Sequence, residues 1–237
     1  MSLKDQNSQI PARFVRRYKR FFADFLLEDG SEVTAHCPNP GRMTSCMEEG
    51  WEAILSKSTD PKRKLSYTWE MVHNQKTWIG IHTGKANSIV FEALLNKEIA
   101  GIEEYTEIQR EYKIQDSRLD FRLTNADGSK VCFLEVKSVS YMENGIYYFP
   151  DAVTARGKKH LELLSDLIQS DCRSIIFFLV QRSDGNEFRA ARHVDAAYAE
   201  ALDRAYEAGV EIMAWECSVL PEKIRLQKPL PVPEYQK

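Results

Sequence analysis

Two short runs constrain this chain most: Ser117-Arg118-Leu119-Asp120-Phe121-Arg122-Leu123 and Val131-Cys132-Phe133-Leu134-Glu135-Val136-Lys137-Ser138. Both read as strands, and between them stands Asn125-Ala126-Asp127-Gly128. Asp-Gly is the favoured pair for a two-residue type I′ hairpin turn. A turn centred on Asp127-Gly128 fixes the register and sets Asp120 opposite Glu135, on the same face of the sheet. Lys137, two residues on, points the same way. Charges inside an otherwise apolar strand require a partner or a ligand. Two carboxylates and a lysine at one point of a sheet suit a divalent cation with an activated water, the chemistry of phosphodiester cleavage. Mg²⁺ or Mn²⁺ is the expected ion. The competing reading is a cross-strand ion pair of Asp120 or Glu135 with Lys137, Arg118 or Arg122. Glu92, on the helix expected ahead of the hairpin, is a further candidate metal ligand, with a solvated helix face as its alternative.

The remaining composition narrows the surroundings. The chain has 237 residues and a net charge of −3, so overall charge does not announce a nucleic-acid binder. Its distribution is uneven: Lys4, Arg13, Arg16, Arg17, Lys19 and Arg20 face one acid, Asp5, in the first twenty positions, and Lys62-Arg63-Lys64 forms a second basic run. Local fields of this kind bind phosphates on a neutral protein. Five cysteines with no Cys-x-x-Cys spacing predict reduced thiols and a reducing compartment. His36-Cys37 and Cys46 match no standard zinc spacing. No signal peptide is visible, and the longest apolar run, Ile175-Ile176-Phe177-Phe178-Leu179-Val180, reads as a buried strand. A soluble, cytoplasmic protein with no membrane partner is expected.

Residues 1–82 read as short strands and turns, which suggests a small OB-like β-barrel. Residues 83–237 read as helix, hairpin, helix, strand, helix, strand, an α/β layout with a mixed sheet. Asn87 or Ser88 is expected to cap the first helix, and Thr154 to open the second. A third helix is expected over 194–208. The Pro229–Pro233 tail reads as loose.

Several residues suit nucleic acid. Arg16, Arg17, Lys19 and Arg20 interleave with Tyr18, Phe21 and Phe22, and strand alternation would put Arg16, Tyr18 and Arg20 on one face. Arg42, Arg63 and Lys64 are further basic candidates. Arg156, Lys159 and His160 lie near the start of the second helix, where phosphates are readily held. Tyr147, Tyr148 and Phe149 are candidates for base stacking, with core packing as the alternative. Gln181 and Arg182 are candidate substrate contacts.

The spacing Asp-x14-Glu-x-Lys resembles the PD-(D/E)xK nuclease core, with Leu119 where a proline is usual. Seven blocks in order carry a wider resemblance. They are Arg17 to Phe21, His36 to Met43, Arg63 to Thr68, Ser117 to Phe121, Glu135 to Val139, Tyr148 to Thr154 and Val180 to Arg182. Together the chain resembles the SfsA, or sugar fermentation stimulation protein, family. Pro40 and the Thr83-Gly84-Lys85-Ala86-Asn87 segment depart from the usual pattern. The resemblance implies an OB-like domain joined to a PD-(D/E)xK nuclease-like α/β domain. It also implies DNA binding and an association with sugar (maltose) metabolism. It places the acidic and lysine positions on Asp120, Glu135 and Lys137, and the basic segment on Arg17, Lys19 and Arg20.

The sequence thus leads to a DNA-binding protein with a metal-dependent phosphodiesterase site and little sequence preference. The alternative is a non-catalytic DNA-binding regulator on the same scaffold. RNA as a partner and self-association both stay open.

Overall fold

The computed structural model describes residues 9–114, 116–168, 170 and 172–235. Lys4 and Asp5 of the N-terminal basic run lie outside them. Strands β1 (Gln9–Tyr18), β2 (Phe22–Leu27), β3 (Glu32–His36), β4 (Glu52–Lys57) and β5 (Tyr67–His73) form a closed five-stranded barrel. The order is β3-β2-β1-β4-β5, and a parallel contact of Ala35 with Tyr67 and His36 with Thr68 joins the ends. Closure removes the free edges. The interior is packed on Trp69, against which Phe14 stacks at 5.1 Å and Phe25 stands edge-on at 5.2 Å. The architecture is therefore an OB barrel followed by a mixed-sheet α/β unit.

The β1–β2 turn differs from the strand continuation expected there. β1 ends at Tyr18, and Lys19 and Arg20 take φ of 45° and 64°. Arg20 therefore leaves the Arg16–Tyr18 face.

β6 (Trp78–Gly80) pairs with β5 and leads through a 3-10 turn (Thr83–Lys85) into α1 (Ala86–Leu95). The second sheet uses β7 (Glu107–Ile114), β8 (Ser117–Thr124), β9 (Val131–Val139), β12 (Arg173–Val180), β14 (Glu211–Leu220) and β15 (Lys223–Pro229), in the order β15-β14-β12-β9-β8-β7. β12, the apolar run read from the sequence, lies between parallel β9 and β14, which explains why both its faces are apolar. α1 covers Leu134, Val136 and Phe177 on one face. α2 (Ala155–Ile168) and α3 (Ala196–Glu207) cover Phe133, Ile176 and Phe178 on the other. A small sheet of β10 (Tyr141–Glu143), β11 (Ile146–Phe149) and β13 (Glu187–Ala190) completes the fold.

Local chemistry accounts for most element ends. Thr154 Oγ1 accepts the Gly157 N–H at 3.1 Å and opens α2. Among the described residues no side chain caps α1, contrary to the role expected of Asn87 or Ser88. The tail is also packed rather than loose: Leu230 and Val232 are buried, and the Leu230 N–H donates to the Ala214 carbonyl at 2.8 Å. No described helix is long and apolar enough to cross a membrane.

Arg182 fastens the barrel to the α/β unit. It is 1 % exposed, forms a two-pronged pair with Asp184 at 2.7 Å, and donates to the Ser140 carbonyl and Ser45 Oγ. Asp184 in turn accepts from Asn74 Nδ2 of the barrel. Arg182 is thus committed to structure, not to substrate.

Candidate metal and nucleic-acid site

The β8–β9 hairpin turns through a longer loop than a two-residue turn, yet keeps the expected register. Asn125 N–H donates to the Lys130 carbonyl, Gly128 N–H to the Asn125 carbonyl, and Asn125 Oδ1 accepts the Lys130 N–H. Gly128 sits at φ 72°, the left-handed conformation glycine tolerates. The loop is centred on the same two residues, so Phe121 still pairs with Leu134. The ladder stops there. At the next position Asp120 Oδ2 accepts the Val136 N–H at 2.7 Å, and the Asp120 N–H reaches Glu135 Oε2 at 3.3 Å. Glu111, at φ 52°, and Asp120 are both skipped in the β7–β8 register. The sheet therefore opens around Asp120, freeing polar groups that a regular ladder would consume.

Glu135 is 3 % exposed and its Oε1 accepts from Lys137 Nζ at 2.7 Å and from His160 Nδ1. Arg156 Nε donates to His160 Nε2 at 3.4 Å, which leaves the imidazole proton on Nδ1, toward Glu135. Asp120 Oδ1 accepts from Asn87 Nδ2 at 2.6 Å. Burial, then the nearby Glu135 charge, push the Asp120 carboxyl up to about 6, against the Val136 N–H, Asn87 and Lys137. Burial opposes ionisation of Glu135 too, but the His160 hydrogen bond and the Lys137 charge outweigh it and hold its carboxyl below the ordinary value. Glu135 is compensated in full and Asp120 only in part. A divalent cation bound through one or two carboxylates and water fits that donor set.

Glu92 does not join them. It pairs with Lys223 at 3.0 Å, and among the described residues no group of three or more acidic, histidine or cysteine side chains is placed to hold a metal. Glu92 is five residues along α1 from Asn87, so the helix turns it away from the face that reaches Asp120. All five cysteines are free thiols.

The basic candidates separate into two groups. Arg17 is spent on backbone: it donates to the carbonyls of Arg20, Gly41, Arg42 and Asn39 and so holds the 39–42 loop. Arg16 pairs with Asp24 at 2.8 Å. Lys19, Arg20, Arg42, Lys62, Arg63 and Lys64 are exposed, with Arg20 donating to the Pro40 carbonyl and Arg63 to Thr68 Oγ1. Arg156 and Lys159 are exposed on α2 beside His160. Among the aromatics, Tyr147 is fully buried with its hydroxyl on Glu216, and Phe149 packs on Phe178 and Tyr198. Tyr148 is half-buried against Tyr141 and His193. Gln181 is fully buried and donates to Ser138 Oγ at 2.8 Å.

Asn87 and His160 are the site residues that sequence reasoning underrated. His160 shares the spacing of Gly157, Leu161 and Leu164, the buried face of α2, and that periodicity was its signal. Asn87 carried none beyond its place at a helix start.

Comparison with known proteins agrees with this architecture. The model of the "SfsA N-terminal OB domain" matches residues 15–81, and that of the "Sugar fermentation stimulation protein RE domain" matches residues 84–223. A sugar fermentation stimulation protein homolog of Pseudoalteromonas atlantica is 44% identical over 229 residues, 95% of this chain and 97% of the relative. One from Geotalea uraniireducens is 45% identical over 223 residues, 94% of this chain and 96% of its own. The solved structure of Pyrococcus furiosus SfsA in complex with Ca²⁺ superposes with a TM-score of 0.84 at 26% identity, covering 98% of this chain and 99% of that one. An OB barrel joined to a mixed sheet and near-full-length identity above 40% lead to one conclusion: the chain belongs to the sugar fermentation stimulation protein (SfsA) family.

Proposed function

We propose that this protein binds DNA with little sequence preference and carries a divalent-metal phosphodiesterase site. The observation behind this reading is the opened sheet at Asp120, where an under-compensated carboxylate meets Glu135 and Lys137. Asp120 and Glu135 would hold Mg²⁺ or Mn²⁺. A cation there supplies an acidified water and neutralises charge on the phosphate. Lys137 places a positive charge beside the reacting phosphate and donates to the oxygen on which charge develops. Asn87 and His160 position the two carboxylates. The Ca²⁺ complex of the Pyrococcus furiosus relative supports a divalent cation in this family. The PD-(D/E)xK pattern and the division into units of residues 1–82 and 83–237 belong to this same reading.

The barrel supplies the second support. In five-stranded barrels of this topology, oligonucleotides lie across strands 2 and 3 and the loops joining strands 1–2 and 4–5. Here Lys19 and Arg20 occupy the β1–β2 turn, and Lys62, Arg63 and Lys64 the β4–β5 loop. Lys19 and Arg20 hold left-handed backbone that Asn or Gly takes at lower cost. Retaining basic side chains in a strained turn supports a functional role.

The test is cleavage of labelled single- and double-stranded DNA and RNA with Mg²⁺ or Mn²⁺, beside Asp120→Asn. Cleavage by the wild type and its loss in the variant support the reading. Tight DNA binding without cleavage, equal in both proteins, would make this a binding protein on a nuclease scaffold.

A further inference from the structure

The β7–β8 hairpin and α2 enclose a cleft of about 410 Å³ that abuts the carboxylate site without belonging to it. Its walls carry Lys113 and Arg118 from the hairpin and Arg156 and Lys159 from α2, with one acid, Asp116, at the rim and His160 at the floor. Lys113 and Arg118 are direct cross-strand partners. Like charges in that relation repel, so the pair is a liability to the sheet unless an anion comes between them. Among the described residues, the ion-pair partner of Arg118 is Glu111, at a loose 3.8 Å and more than half exposed on both sides. Lys113 and Lys159 form no ion pair with a described residue. Cations from three elements thus converge on one concavity, with Asp116 the one acid of its lining and Glu111 beside Arg118. His160 faces the cleft while its Nδ1 bonds to Glu135, so one imidazole ring separates the cleft from the carboxylates.

We propose that this cleft is a phosphate subsite, which takes a phosphate of the nucleic-acid strand neighbouring the one held at Asp120 and Glu135. The inference rests on the nucleic-acid reading above and deepens it. Arginine on both walls suits the oxygens of a phosphate, and two lysines add point charge. A terminal monoester carries close to two negative charges and an internal diester one, and both present the same oxygens.

Binding is measured by fluorescence anisotropy on the full chain in EDTA, so that cleavage plays no part. The probes are labelled single-stranded oligonucleotides bearing a 5′-phosphate, a 3′-phosphate or hydroxyls at both ends. Each is titrated over a range of salt with wild type and with the double variant Lys113→Ala, Lys159→Ala. Both positions are exposed, and a melting temperature near wild type confirms folding. The double variant is expected to bind about tenfold or more weakly, with a salt slope shallower by about one to two. Loss confined to one end-phosphorylated probe identifies a terminal phosphate as the occupant. Equal loss on all probes identifies an internal phosphate. Unchanged affinity and salt slope on every probe would overturn the subsite. Because Asp120→Asn leaves the cleft intact, absence of cleavage would count against the nuclease reading and not against this one.

Discussion

Replacing Asp120 by Asn is expected to stabilise the metal-free protein while abolishing its proposed chemistry. Burial and the Glu135 charge raise the Asp120 carboxyl from 3.8 to about 6. At 1.36 kcal/mol per unit, ionising it in the folded state costs about 3 kcal/mol. The sign follows from linkage. A carboxyl raised in the folded state binds its proton more tightly there, so the cost is absent below about pH 4. It grows through the interval between 3.8 and about 6 and is complete above it. Asparagine removes the charge but cannot accept from both the Val136 N–H and Asn87 as the carboxylate does, which returns about 1–2 kcal/mol. The net gain at pH 8 is about 1–2 kcal/mol, or about 2–8 °C in melting temperature for a chain of this size. The assay is thermal unfolding in EDTA at pH 8 and at pH 4. A gain at pH 8 that disappears at pH 4 matches the argument. An equal loss of stability at both pH values would refute it, because the carboxylate would then be a net structural asset.

Other consequences follow from the same geometry. Arg182→Met strands the buried Asp184 charge and should cost about 3–5 kcal/mol, read as a fall in denaturation midpoint. Arg182 holds the Asp184 carboxyl below its ordinary value against burial, so that stabilisation is present above about pH 4 and is lost as pH falls through the depressed value. Asp184→Asn should flatten the acid side of the stability profile. At Gly41 an added Cβ would lie 2.0 Å from Asp151 Oδ2, so Gly41→Ala should destabilise, and combining it with Asp151→Ala should cost less than the sum of the single changes. Lys62→Ala with Lys64→Ala should weaken DNA binding and flatten its salt slope with little effect on melting. Arg17→Ala should instead lower stability, since its donors hold the 39–42 loop.

Much of this was legible because it depends on local periodicity. The hairpin register survived a mistaken turn type, since the four-residue loop and the two-residue turn share one centre of symmetry. Alternation then put Asp120, Glu135 and Lys137 together without any tertiary information. The barrel was readable from closely spaced short strands. What the sequence hid were matters of tertiary commitment. Nothing near Arg17 reveals that three carbonyls of a distant loop take its donors. Glu92 looked suitable as an acid before the hairpin, but helix rotation carries it to Lys223 and presents Asn87 instead. The tail is proline-rich, yet Leu230 and Val232 bury themselves against the α3 side of the sheet, a contact no local signal reports.

Titrating Mn²⁺ into wild type and Asp120→Asn by calorimetry tests whether the opened sheet holds a divalent cation. A crystal soaked in Mn²⁺ adds the anomalous signal. Saturable binding to the wild type is expected, with its loss or strong weakening in the variant and an anomalous peak between the Asp120 and Glu135 carboxylates. Equal binding by both proteins, or a peak elsewhere with none at this position, would contradict it.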